Sequence, residues 1–221
     1  MKNDKFTVKK ILSALVGVLF VGMGVAFNNC AGLGNDSVGI VYDGIRNAGG
    51  MSTSQLGIAS NIVNLTLIAL LVLIGRRYVS VGTLIYILPY GYFVDIGNVV
   101  YRHLAGDGLA SRIIFSVTGC LLLCMGVAVY IAADIGVDPF TGIVLVIKDK
   151  LNKEYRYVKI GFDIAMIVLG MVLGGKPGVV TVITAVSLGP VIQFFTGLVE
   201  KYWLNSKKGG FCDVTYTDSA H

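Results

Sequence analysis

Apolar positions along the chain gather into six runs separated by polar or charged residues: Ile11 to Ala31, Leu56 to Ile74, Val79 to Tyr101, Ile113 to Ala133, Val158 to Gly174 and Val179 to Val199. A helix crosses a bilayer core with about 20 apolar residues, so each run predicts a transmembrane helix, the fifth being the shortest. Pro89 and Gly91 interrupt the third run. Such a break survives in a membrane where neighbouring protein or water satisfies the freed carbonyl groups. Two further segments, Ser37 to Arg46 and Pro139 to Leu151, are too short to cross and too apolar for free loops. Each follows a Gly-x-Asp turn, Gly34-Asn35-Asp36 or Gly136-Val137-Asp138. Asp138-Pro139 is a helix start, with the carboxylate at the N-cap and proline at the first helical position. Asn47-Ala48-Gly49-Gly50 and Asn152 supply the stops. Both segments predict short re-entrant or interfacial helices.

The pattern repeats. Sliding the chain by 102 residues lays Ile11 to Asp36 on Ile113 to Asp138 with 10 of 26 positions identical, including the block Met23 to Ala26 on Met125 to Ala128, then Gly34 on Gly136 and Asp36 on Asp138. The same offset pairs Asn61 with Asp163, and a one-residue slip brings Pro89 onto Pro190. Duplication accounts for this register better than apolar composition. Each copy holds three spans, and an odd number makes the second copy enter from the opposite side. The expected fold is all-α: a polytopic membrane protein with six transmembrane helices as two inverted three-helix repeats, each with a short re-entrant or interfacial helix. The expected segments are a basic N-terminal stretch 1–10, the first repeat 11–101, an external linker 102–112, the second repeat 113–203 and a disordered cytoplasmic tail 204–221.

Composition agrees. Of 221 residues 55% are hydrophobic and 14% charged, and the mean hydropathy is +0.76, which excludes an ordinary soluble globule and leaves no room for a sizeable soluble catalytic domain. The net charge of +5 does not point to nucleic acid, because the basic residues fall in short clusters between uncharged stretches. With the N-terminus inside, Lys2, Lys5, Lys9, Lys10, Arg76, Arg77, Lys148, Lys150, Lys153, Arg156, Lys159, Lys201, Lys207 and Lys208 are cytoplasmic, 14 of the 18 cations, and only Arg46, Arg102, Arg112 and Lys176 are external. This bias predicts that both termini are cytoplasmic. Tyr78, Tyr101, Tyr155, Tyr157, Tyr202 and Trp203 fall at span ends, as an interfacial aromatic belt requires. The basic start and apolar first run resemble a signal peptide, but Asn28 and Asn29 before Cys30 spoil a cleavage site, and the run has its own counterpart inside the chain.

Candidate chemistry is sparse. The four cysteines have neither disulfide-framework nor metal-ligand spacing. No Gly-rich loop ends in Lys-Ser or Lys-Thr, and no zinc or nucleophile-elbow motif is present, so no cofactor, metal or enzymatic activity is expected. Polar groups within spans are costly and are the default functional candidates. These are Asn61 and Asn64 in span two, Asp95 in the broken third span, Asp163 in span five and Gln193 in span six, with Asp36 and Asp138 at the short helices. Bland readings stand beside them: Asp36 and Asp138 as helix caps, the asparagines as interhelical glue, and Asp163 paired with Lys159 four residues away. Asp95 has no cationic partner in its own span and is the candidate for proton or cation coupling. Gly17, Gly22 and Gly24 in span one, with Gly119 and Gly126 in span four, form small-residue stripes suited to close helix packing, between the repeats or in a homodimer.

Met-Gly-Val-Ala, Leu33-Gly34-Asn35-Asp36, Ile135 to Gly142 and Ser187-Leu188-Gly189-Pro190 together resemble the YczE/YyaS/YitT family of bacterial multi-pass membrane proteins, over about Lys10 to Tyr202. The first turn departs from the pattern by carrying Ser37 in place of proline. The resemblance implies a bacterial cytoplasmic-membrane location and no catalytic residues. The expected function is a secondary transporter or permease for an unidentified small solute or ion, since inverted repeats with broken elements commonly work by alternating access. The rival expectation is a non-transporting scaffold that binds a partner protein or lipid. The lipid bilayer is the expected partner and nucleic acid is not.

Overall fold

The fold is that of a computed structural model describing residues 8–106, 108–199 and 201. The N-terminal Lys2 and Lys5, the predicted tail and Trp203 lie outside the described residues. The described chain is all-helical, as expected where backbone groups must bond within their own segment. Eight helices follow in order among the described residues: α1 Val8–Ala31, α2 Ser37–Ala48, α3 Leu56–Ile74, α4 Val81–Leu104, α5 Leu109–Ala133, α6 Pro139–Leu151, α7 Tyr155–Val172 and α8 Val179–Val199. Five helical segments are long and apolar enough to cross a membrane: Val8–Ala31, Thr53–Ile74, Val81–Leu104, Leu109–Ala133 and Val179–Val199. Helix α7, with 18 residues, carries Arg156, Lys159 and Asp163 and stays outside that group. Helices α4 and α5 run into the predicted linker from both sides and leave only residues 105–108 between them.

Helices α1 and α5 cross at the centre. Gly17 faces Gly126 and Gly24 faces Gly119, an order that makes the two helices antiparallel. A Cβ added at Gly17 would lie 2.8 Å from the Gly126 carbonyl oxygen, and one added at Gly126 would lie 2.6 Å from that of Gly17. The turns after these helices depend on glycine too, with φ of +108° at Gly34 and +152° at Gly136, a region that side chains rarely adopt. Each turn lies against the start of a distant helix. Val180 N–H donates to the Leu33 carbonyl (3.1 Å) and Asn35 N–H to Thr181 Oγ1 (3.3 Å), tying the first turn to α8. Thr83 Oγ1 donates to the Val137 carbonyl (2.8 Å), tying the second turn to α4.

The short helices pack along long ones. Helix α2 lies along α7, where Gly44 meets Gly170, and α6 lies along α3, where Gly142 meets Leu71 and Val146 meets Gly75. Helix α3 also packs on α4, whereas α8 packs chiefly along α5 and leaves Gly189 and Gly197 open. Pro89 does not break α4, which continues from Val81 to Leu104. The Asn61 side chain meets the disturbed ladder there, its Oδ1 accepting the Gly91 N–H at 3.1 Å.

Candidate functional site

The two Gly-x-Asp turns deliver both short helices by their N-termini. Asp36 is the N-cap of α2 and accepts the Gly39 N–H (3.3 Å). Asp138 is the N-cap of α6 and accepts the Thr141 N–H (3.0 Å) and hydroxyl (2.5 Å). Capping is therefore one task of both carboxylates. Beyond these caps, Tyr42 of α2 meets Phe140 of α6 and Tyr90 of α4, and Tyr90 stacks on Tyr86.

Those tyrosines belong to a buried aromatic cluster. Tyr86 stacks on Tyr90 with 5.2 Å between ring centroids, Tyr130 of α5 meets Tyr86 edge-on at 5.1 Å, and Tyr42 of α2 lies 5.8 Å from Tyr90. Phe140, beside Asp138, continues the cluster from Tyr42 to Phe162 of α7. Tyr42 donates its hydroxyl to Asn64 Oδ1 at 3.2 Å. Asn64 is fully buried and its Nδ2 has no partner among the described residues. Asp163 binds Lys159 at 2.5 and 2.6 Å and accepts the Ser37 hydroxyl at 2.7 Å, so the first residue of α2 is held to the middle of α7. Lys159 thus has its own carboxylate, while Asp36 and Asp138 take the backbone donors of the helices they cap.

Ser37 links the start of α2 to Asp163, and Tyr42 links α2 to Asn64 of α3 and, through Phe140, to the helix that Asp138 caps. The other candidates do not join them. Asp95 accepts the Gly57 N–H (3.2 Å) at the start of α3, acting as a cap lent by the neighbouring helix. Asn61 serves Gly91. Gln193 is exposed on the outer face of α8.

Asp43 has no place among the sequence candidates, yet it is the most engaged carboxylate of the first half and 7% exposed. Its Oδ1 takes Arg46 through Nε (3.1 Å) and Nη2 (2.6 Å), and its Oδ2 takes the Lys176 N–H (3.1 Å), tying α2 to the α7–α8 connection. Asn47 adds a bond to the Gly174 carbonyl at 2.7 Å. The spacing of Asp43 and Arg46, three residues apart on an amphipathic helix, was the available signal. Tyr86 and Tyr90, four apart, marked one helix face in the same way. Two cavities, of about 320 and 400 Å³, open around the C-terminal end of α6.

Comparison with known proteins adds kinship. The model of a family of unknown function, DUF6198, matches residues 8–197. An uncharacterized protein of Haemophilus influenzae is 26% identical over 193 residues, covering 87% of this chain and 86% of that protein. The uncharacterized membrane protein YczE of Bacillus subtilis is 26% identical over 145 residues, covering 66% of this chain and 65% of that protein. The uncharacterized protein YyaS of the same organism is 21% identical over 197 residues, covering 89% and 96%. No solved structure matches the chain.

Proposed function

We propose for this chain, which belongs to the family of unknown function DUF6198, the role of a secondary transporter for a small solute, working by alternating access between two inverted three-helix repeats and without covalent catalysis. In this reading α7 is the sixth span, both termini are cytoplasmic and the membrane is the bacterial cytoplasmic one. The reciprocal contacts support the repeat: Gly17 on Gly126 mirrors Gly119 on Gly24 at the 102-residue offset, and each turn grips the last helix of the other half.

One observation carries the transport reading: the corresponding third spans are packed differently. Helix α3 is clasped to α4 in its own half, with Gly57 and Asn61 against Gly91 and Asp95. Thr83 and Thr181 hold equivalent turns, 98 residues apart, and that spacing, which replaces the Pro89–Pro190 pairing read from the sequence, carries Gly91 to Gly189 and Asp95 to Gln193. Among the described residues no helix covers Gly189 or Gln193, and α7 lies on α2 instead. Two halves of one design in unlike packings are what alternating access exchanges. The other state would seat α7 on α8 and free α3 from α4.

The wall between the halves suits a solute with an amine or other cationic head, since tyrosine faces and the carboxylates of Asp36 and Asp138 attract positive charge. Flux of radiolabelled amines, amino acids and anions into proteoliposomes tests the reading, together with a thermal-shift screen of the same compounds. Stabilisation and flux by an amine-bearing solute support it, and silence across the panel removes it. A second reading, the non-transporting scaffold, is favoured by the glycine-tight α1–α5 crossing, which leaves no space at the centre. An α7 that never leaves α2 would select it.

A further inference from the structure

At the end of α3 the chain passes through the short Arg76–Tyr78 turn, which lies against the last turns of α6. The cavity of about 400 Å³ opens there. Its wall presents Arg76, Arg77 and Lys150 against one carboxylate, Asp149. Arg77 and the Tyr78 hydroxyl both engage Asp149, and the Arg77 guanidinium sits 4.8 Å from the Tyr78 ring centroid. Among the described residues no acidic side chain pairs with Arg76 or Lys150. Three cations against one carboxylate leave the cavity with two uncompensated positive charges. The smaller cavity beside it shares Asp149 and adds Lys148 and Lys153 with a second carboxylate, Glu154.

The remaining wall is apolar, from Ile74 and Val146. Leu73, on the adjoining face of α3, is 80% exposed, as a residue facing lipid tails is. A cationic pocket beside a greasy helix end, with Tyr78 at the boundary, fits a molecule that is anionic at one end and apolar at the other. Free phosphate would satisfy the cations and leave the apolar wall unused. We propose that this cavity binds the headgroup of an anionic phospholipid, its phosphate held by Arg76 and Lys150 and its acyl chains lying along the end of α3. The site goes beyond the transport reading and stands if that reading fails. It also bears on α6: a phosphate within reach of Arg77 competes with Asp149, and an exposed ion pair of this kind contributes little. Lipid binding therefore loosens the tie between α6 and the α3–α4 connection.

Native mass spectrometry of the full chain in detergent, titrated with phosphatidylglycerol, phosphatidylcholine or inorganic phosphate, tests this. The expected result is saturable binding of phosphatidylglycerol with little binding of the other two. The Arg76→Gln/Lys150→Gln variant, changed only at exposed side chains, is expected to bind phosphatidylglycerol about thirty-fold more weakly. Lys153→Gln, which lines the neighbouring cavity and not this one, is expected to bind as the parent does. Unchanged affinity in the double variant, equal loss in Lys153→Gln, or equal binding of phosphatidylcholine or inorganic phosphate would each overturn the proposal.

Discussion

Gly24 and Gly119 face each other across the α1–α5 crossing so closely that each backbone carbonyl oxygen occupies the space a Cβ on the other would need, 2.6 Å from one and 2.9 Å from the other. Neither contact yields by rotating a side chain, because both partners are backbone. Helices associate in membranes through such close approach, since lipid supplies no hydrophobic drive between them. Gly24→Val and Gly119→Val are each expected to lower stability by at least the roughly 1–3 kcal/mol of an overpacked core, read as thermal unfolding in detergent. Gly189→Val, with open space around it, serves as the control and is expected to unfold as the parent does.

Asp43 and Arg46 form a pair whose side chains are 10% and 12% exposed. Removing one partner of a buried pair strands the other charge, at a cost of about 3–5 kcal/mol. Asp43→Ala is therefore expected to destabilise the protein strongly. The Asp43→Leu/Arg46→Met double variant is expected to recover most of that loss, because neither charge then remains. The residual deficit reports the bonds the double variant cannot restore, from Lys176 N–H and Asn47 to Asp43 and from Arg46 to the Met51 carbonyl.

Asp95 gives its Oδ1 to the Gly57 N–H at the start of α3. Asparagine keeps an acceptor in that place and alanine does not. Asp95→Ala is expected to lose about 1 kcal/mol, as a lost helix cap does, while Asp95→Asn melts with the parent. If Asp95 also couples transport to protons or cations, Asp95→Asn loses solute uptake or its pH dependence at unchanged stability. Full uptake with an unaltered pH profile leaves capping as its whole role.

Much of this architecture is legible in the sequence, because lipid leaves an apolar run few options but a helix. The apolar runs, the short helices and the capping aspartates all follow from local patterns, and Asp138-Pro139 marks the start of α6 to the residue. What escapes is decided between helices. Asn61 and Asp163 align at 102 residues, but α3 begins 19 residues after α2 does and α7 only 16 after α6, and contacts follow the shorter spacing. Ile40 lies on Gly170 and Gly142 on Leu71, so under the proposed repeat Asn64 is the counterpart of Asp163, while Asn61 meets Gly91 instead. Pro89 reads as a break, yet a side chain from α3 takes up a backbone donor beside it and α4 continues. Asp43 escapes notice because a lone acid on a short amphipathic segment looks solvated until α7 covers it. Gln193 looks buried until α8 is found to lack the neighbour that α4 has.

That missing neighbour gives the most direct test of alternating packing. If α7 visits α8 as α3 sits on α4, its seat includes Gly189, and a large side chain there would block the visit while leaving the present packing untouched. A Cβ added at Gly189 meets nothing within 4 Å and leucine improves helix propensity, so Gly189→Leu is expected to fold as stably as the parent. Spin labels placed at Val168 on α7 and Val186 on α8, both exposed, report the separation of the two helices in a background without other cysteines. The parent is expected to show two distance populations in lipid nanodiscs, with the shorter one lost in Gly189→Leu and enriched or depleted by any transported solute. A single distance, the same in the parent and in Gly189→Leu and indifferent to every solute tried, would fix α7 on α2 and leave the unlike packing of the halves as static structure.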